Sequence, residues 1–112
     1  MRSSVVVTTY NEPDRLALVL QAFTRQTHLP DELFVADDGS GEETTRVIEA
    51  FRPPAGVRFE RVWHEDRGFR KWAVSNEAVR RSRGEWLLFL DGDSIPHRRW
   101  VEDHLAWSKR GD

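Results

Sequence analysis

Apolar positions along the chain fall into two alternating patterns. Short β-branched or continuous apolar runs read as strands: Val5-Val6-Val7-Thr8-Thr9, Leu33 to Ala36, Val57 to Trp63 and Glu85 to Leu90. Between the first two, Leu16, Val19, Leu20 and Phe23 stand at i, i+3, i+4 and i+7, one face of a helix. Pro13 suits its first turn, and Leu29-Pro30 ends the region. Ser40 with Glu43 three residues later forms a capping-box pattern that opens a short second helix. Its Val47, Ile48 and Phe51 point inward, and Pro53-Pro54-Ala55-Gly56 breaks the chain after it. Lys71 to Ser82 reads as a third helix with Gly84 as its stop. Pro96 to Lys109 reads as a fourth, with Trp100, Val101, His104 and Leu105 along one side.

This alternation predicts an α/β fold, a Rossmann-like and mostly parallel sheet with flanking helices. The near-continuous apolar runs of strands two and four predict burial on both faces. In such sheets ligands bind beyond the carboxyl ends of the strands. Thr8, Tyr10, Asp38, Asp91 and Asp93 all fall at those ends.

The 112 residues suit one domain with a modest core, and neither repeats nor a linker divide them. A formal net charge of −2 gives no basic field for nucleic acid, and no nucleic-acid partner is expected. Cysteine is absent, which removes disulfides and Cys-based zinc sites and fits a reducing compartment. The first residues contain only three strong apolar positions before turning polar, against about 7–15 for a signal peptide and about 20 for a spanning helix. A soluble, cytoplasmic protein is expected, with peripheral attachment to the inner face of the membrane left open.

The candidate chemistry centres on Leu87-Leu88-Phe89-Leu90-Asp91-Gly92-Asp93. On an extended backbone, side chains two apart point to one side, so Asp91 and Asp93 face one target. Two hard oxygen ligands there suit Mg²⁺ or Mn²⁺ carrying phosphate, with Gly92 letting the backbone turn closely. A bare D-x-D is more often a solvated turn; its place at the end of an apolar strand favours a ligand role. Asp37-Asp38-Gly39-Ser40 repeats the layout, and Asp38 can accept from ribose hydroxyls or a base N–H. Tyr10 can lay its ring on a base and Thr8 can present polar groups, although taken alone they read better as a core-edge tyrosine and an ordinary turn.

Neither G-x-G-x-x-G nor G-x-x-x-x-G-K-[ST] is present, so a dinucleotide fingerprint and a P-loop are both excluded. Glu65 to Lys71 puts cations, among them Arg67, Arg70 and Lys71, at a helix start, where the dipole disfavours them. Either an anion lies nearby, held by a forked Arg70 contact, or the loop is simply solvated. Trp63 and Trp72 flank this segment as candidate walls of a sugar pocket. His28, His64, His97 and His104 show no metal-ligand spacing and read as structural or exposed.

Four motifs in order carry a resemblance: Val-Val-Val-Thr-Thr-Tyr-Asn-Glu, Asp-Asp-Gly-Ser, Asp-Arg-Gly-Phe-Arg-Lys and Phe-Leu-Asp-Gly-Asp-Ser-Ile-Pro. Over Ser4 to about His104 the chain resembles family 2 glycosyltransferases of the GT-A fold. Within that family it resembles bacterial surface-polysaccharide enzymes of the chondroitin-polymerase and lipopolysaccharide-transferase type. The resemblance implies a nucleotide-sugar donor, usually a UDP-sugar, with Mn²⁺ or Mg²⁺, and inverting transfer to a glycan or lipid-linked acceptor. By carry-over, Thr8, Tyr10 and Glu12 line the nucleotide, Asp38 recognises base or ribose, and Arg70 and Lys71 lie beside the donor. Asp91 contacts ribose or metal, and Asp93 holds the metal. Two positions depart from the family pattern: Thr8, where Pro is common, and Ser75, where polymerase-type relatives often carry Arg.

Family members continue well beyond this length, and their later half supplies the acceptor site and catalytic base. The expectation is therefore a single donor-binding domain over 1–112, incomplete at its C-terminus, with the base outside this chain. The other readings are a non-catalytic nucleotide-sugar-binding or regulatory module and, less favoured, a phosphatase-like fold with Asp91 as nucleophile. An incomplete sheet would leave strand four with a bare edge, prone to self-association or to docking a partner.

Overall fold

A computed structural model of the chain describes residues 2–66, 68 and 70–109, with backbone only at 71, 108 and 109. Among them strands and helices alternate strictly: β1 (Ser3–Thr9), α1 (Pro13–Thr24), β2 (Glu32–Asp37), α2 (Glu42–Ala50), β3 (Arg58–Trp63), α3 (Lys71–Arg81), β4 (Trp86–Asp91) and α4 (Trp100–Lys109). The strands form one sheet in the order β3-β2-β1-β4, and every neighbouring pair is parallel. This is the Rossmann-like arrangement that the alternation predicts.

Successive side chains of a strand point to opposite faces, so each strand feeds two cores. Val5, Val7, Leu33, Val35 and Leu90 pack with Leu16, Val19, Leu20 and Phe23 of α1, Ile48 of α2, and Val101 and Leu105 of α4. Val6, Phe34, Ala36 and Val62 pack on the other face with Val74 and Ala78 of α3. β1 and β2 are buried along their whole length, as expected for inner strands. β4 is different. Its apolar run predicts two covered faces, but only Leu90 is buried, and Phe89 is 55% exposed. β4 is an edge strand, and α3 packs over β1, β2 and β3, so Leu87 and Phe89 on that face stay exposed. No helix of the described residues is long and apolar enough to cross a membrane.

Three local expectations are corrected. Ser40 does not cap α2: the N-cap is Gly41, without a side-chain cap bond, because the Ser40 hydroxyl instead accepts from the Asn11 N–H at 2.8 Å. Gly84 does not stop α3. The helix ends where Ser82 turns extended, and the Gly84 N–H donates to Ser4 Oγ at 3.0 Å. The last helix starts at Trp100, after turns in which the Trp100 N–H donates to the His97 carbonyl and the Asp103 N–H to that of Arg99.

The end of the sheet away from the strand carboxyl termini is locked by a buried carboxylate. Glu32 is 1% exposed. Its Oε1 accepts from Ser4 Oγ at 2.7 Å and from the Arg83 N–H at 2.6 Å, and Oε2 accepts from Arg58 Nη1 at 2.6 Å. Burial alone would push this carboxyl up, but the Arg83 N–H, the Ser4 hydroxyl and Arg58 outweigh it and hold it below the ordinary carboxylate range. A lowered folded pKa contributes stability above the unfolded value and loses it as pH falls through the folded one. Glu32→Gln should therefore lower stability at pH 7 by about 2–3 kcal/mol. In urea titrations the gap to wild type should narrow below about pH 4, near the unfolded carboxylate value. A gap unchanged down to pH 3 contradicts this role.

Candidate functional site

The register of the sheet sets the site. Thr8 lies opposite Ala36 of β2 and opposite Asp91 of β4, and Thr9 lies opposite Asp37. Three strands thus end level, and their exit loops surround a cleft of about 210 Å³. Thr8 and Thr9 at the end of β1, with Tyr10 and Glu12 after it, line one side; Asp38 lines it after β2, and Asp91 at the end of β4 with Gly92 and Asp93 after it. Of the residues singled out in the sequence, Thr8, Tyr10, Glu12, Asp38, Asp91 and Asp93 meet here.

Asp91 and Asp93 reach this cleft by a route other than the expected one. β4 ends at Asp91, and the chain turns rather than continuing extended. The Asp93 N–H donates to Asp91 Oδ1 at 3.2 Å, and the Ser94 N–H to the Asp91 carbonyl at 3.0 Å. Gly92 is required by contact rather than by conformation: a Cβ there would lie 2.3 Å from the Thr8 carbonyl oxygen. From α1, Arg15 Nη1 donates to the Asp93 carbonyl at 2.8 Å, while Arg15 Nε pairs with Glu12 at 3.4 Å. Sequence spacing did not single out Arg15, because its partner lies 78 positions away.

The second loop is held from both sides. Asp37 is buried; its Oδ2 accepts from Arg61 Nη2 at 2.7 Å and Nε at 3.2 Å, and its Oδ1 accepts from the Ser40 N–H at 2.9 Å. Asn11, at φ +47°, takes the left-handed conformation that Asn tolerates. Its side-chain oxygen accepts from the Gly41 N–H at 2.8 Å, tying the first loop to the second. Asp38 Oδ2 accepts from the Arg70 N–H at 2.9 Å, and Oδ1 contacts His64 Nε2. Gly39, at φ +85°, has its Cα so close to Asp66 that a Cβ would lie 2.5 Å from the Asp66 backbone.

Arg70 therefore meets the site through its backbone N–H, while its guanidinium lies 5.7 Å from the centre of the Trp72 ring. Arg67 and Phe69 lie outside the described residues, as does the Lys71 side chain. Trp63 and Trp72 do not line this cleft: both are exposed, and the Trp63 indole N–H donates to the Ser40 carbonyl at 3.3 Å.

Among the described residues no group of three His, Cys, Asp or Glu side chains converges to hold a metal. Asp91 and Asp93 nonetheless fit a hard divalent cation of the Mg²⁺ kind, which binds through one or two carboxylates and completes its shell with phosphate and water oxygens. A second feature favours a polar ligand: the buried Thr8 Oγ1 hydrogen-bonds to no described group.

Tyr10 offers a direct reading of this geometry. Its hydroxyl donates to Asp66 Oδ2 at 2.7 Å, and that bond and charge raise its pKa, because losing the proton breaks the bond and sets two anions together. It is the only tyrosine in the chain. In a tyrosinate absorbance titration, Asp66→Asn should bring its midpoint down toward the ordinary value of about 10. An unmoved midpoint contradicts the bridge between the loops.

The chain matches the family model described as "Glycosyl transferase family 2" over residues 4–112. It is 34% identical to a hyaluronan synthase of Pasteurella multocida over 92% of its own length, and 31% identical to a chondroitin synthase of Escherichia coli over 91%. It spans only 10% and 15% of those two relatives. Its fold superposes on S. aureus TarS 1-349 in complex with UDP-GlcNAc with a TM-score of 0.78 and 26% identity, covering 98% of this chain and 32% of that one. With its parallel sheet and strand-end cleft, the chain belongs to glycosyl transferase family 2 and has that family's GT-A, Rossmann-like fold.

Proposed function

We propose that this chain is the donor-binding half of an inverting, metal-dependent glycosyltransferase that takes a UDP-sugar and glycosylates a glycan or lipid-linked acceptor. One observation carries the reading: Tyr10, Asp38, Asp91 and Asp93 line a single cleft beyond the carboxyl ends of parallel strands. The complex of TarS with UDP-GlcNAc supports the donor class, and the hyaluronan and chondroitin synthases support a polysaccharide product. A cytoplasmic setting, which a cysteine-free chain fits, is part of the same proposal.

In this reading Asp38 accepts hydrogen bonds from the base or ribose, and the Tyr10 ring lies against the base. Thr8 lines the cleft beside the turn that carries the carboxylates, its buried hydroxyl without a partner among the described residues. Asp91 and Asp93 would hold Mn²⁺ or Mg²⁺, and the cation, when bound, neutralises charge building on the departing diphosphate. The chain's own groups bind and orient the donor. The base that deprotonates the acceptor hydroxyl belongs to the remainder of the enzyme, and no residue of this chain is assigned that role.

Calorimetric titration of UDP tests the reading. Affinity in Mn²⁺ should exceed that in excess chelator by at least about tenfold, a difference of about 1.4 kcal/mol. Asp93→Ala should abolish that difference while leaving the far-ultraviolet circular dichroism unchanged. Absence of UDP binding with Mn²⁺, or binding indifferent to the metal, contradicts it.

A further inference from the structure

His64 belongs to none of the strand-end motifs in the sequence, yet the fold sets it against Asp38, a residue that lines the cleft. It follows β3, and its backbone N–H donates to the Asp37 carbonyl at 3.4 Å, extending the sheet by one step. Its Nε2 contacts Asp38 Oδ1. Asp38 is only 4% exposed, and its other oxygen accepts from the Arg70 N–H. The segment from His64 to Arg70 thus grips one buried carboxylate at both ends. It is also pinned between them, where Asp66 accepts from Tyr10 and packs on Gly39.

We propose that His64 is a positioning residue that holds Asp38 as a fixed hydrogen-bond acceptor toward the donor nucleotide. The inference rests on the nucleotide-sugar reading of the cleft and goes beyond it by naming the group that orients the recognition carboxylate. Each carboxylate oxygen has two lone-pair directions. Among the described residues His64 and the Arg70 N–H take one direction on each oxygen, which fixes the plane of the carboxylate while Asp38 lines the cleft. A carboxylate only accepts, so the contact takes the His64 tautomer that carries its proton on Nε2, and Asp38 serves as an acceptor to both partners. An acceptor fixed in this way favours ligand groups that donate, such as the ring N–H of uracil, and disfavours cytosine, whose corresponding ring nitrogen also accepts.

The test is calorimetric titration of UDP and of CDP, both with Mn²⁺, into the wild-type chain and into His64→Ala and His64→Gln. His64→Ala should weaken UDP binding about tenfold, the loss expected for a hydrogen bond to a charged group. It should also shrink the preference for UDP over CDP. His64→Gln keeps a side-chain N–H donor and should stay within about threefold of wild type for UDP. Thermal melts of the three proteins separate this role from a structural one, since a structural residue lowers the melting temperature without changing the UDP-to-CDP ratio. The inference is overturned if His64→Ala binds UDP like wild type, if UDP and CDP weaken equally, or if His64→Gln falls as far as His64→Ala. If the wild-type chain binds neither nucleotide, the nucleotide reading itself fails and takes this inference with it, an outcome distinct from normal binding that ignores His64.

Discussion

β1 hydrogen-bonds along both of its edges, to β2 on one side and β4 on the other, and this double pairing determines where each candidate side chain emerges. All seven of its residues are buried, so a slip in register would carry valines out of one core and into the other. With the register fixed, Thr8 stands beside Asp91, and Thr9 beside Asp37. The exit loops then converge because the strands end together, and the close contact of Gly92 with the Thr8 carbonyl keeps the carboxylate turn down against β1. At the opposite end of the sheet, Glu32 ties Ser4 of β1 to Arg58 of β3 and to the segment leading into β4. Cleft and lock are consequences of the same ladder.

The carboxyl end of the sheet collects several acidic groups, and the structure treats them differently. Asp37 is compensated internally by Arg61 and the Ser40 N–H and is not among the residues that line the cleft. Asp38 is steadied by His64 and the Arg70 N–H but still lines the cleft. Asp91 and Asp93 are exposed, with the Asp93 N–H donating back to Asp91. Like charges gathered around one small cleft repel one another, and in the proposed reading a divalent cation would relieve that repulsion.

Much of this was legible in the sequence. The strand-end carboxylates could be read because each follows an uninterrupted apolar run, and α1 because Leu16, Val19, Leu20 and Phe23 repeat at helical spacing. What escaped were contacts between residues far apart in the chain, which leave no periodic trace. Ser40 and Glu43 have capping-box spacing, but Asn11, 29 positions earlier, claims the Ser40 hydroxyl. Gly84 looks like a helix stop, yet its N–H serves Ser4, 80 positions away. His64 lacks metal-ligand spacing because its partner is a carboxylate 26 positions upstream. The apolar run of β4 reads as doubly buried because sequence reports hydrophobicity and not whether a neighbouring strand or helix covers it. The Asp91-Gly92-Asp93 convergence was anticipated on the logic of an extended strand, whereas a turn produces it.

The central proposal is that the strand-end carboxylates would hold a divalent cation beside a nucleotide diphosphate in the same cleft. Paramagnetic broadening by Mn²⁺ of amide signals in the isotopically labelled chain tests it most directly, with and without UDP. With UDP, broadening should centre on Asp91 to Asp93 and extend to Thr8 through Tyr10, and Asp93→Ala should remove it. Broadening centred on another surface, or a pattern identical in the absence of UDP, contradicts the claim.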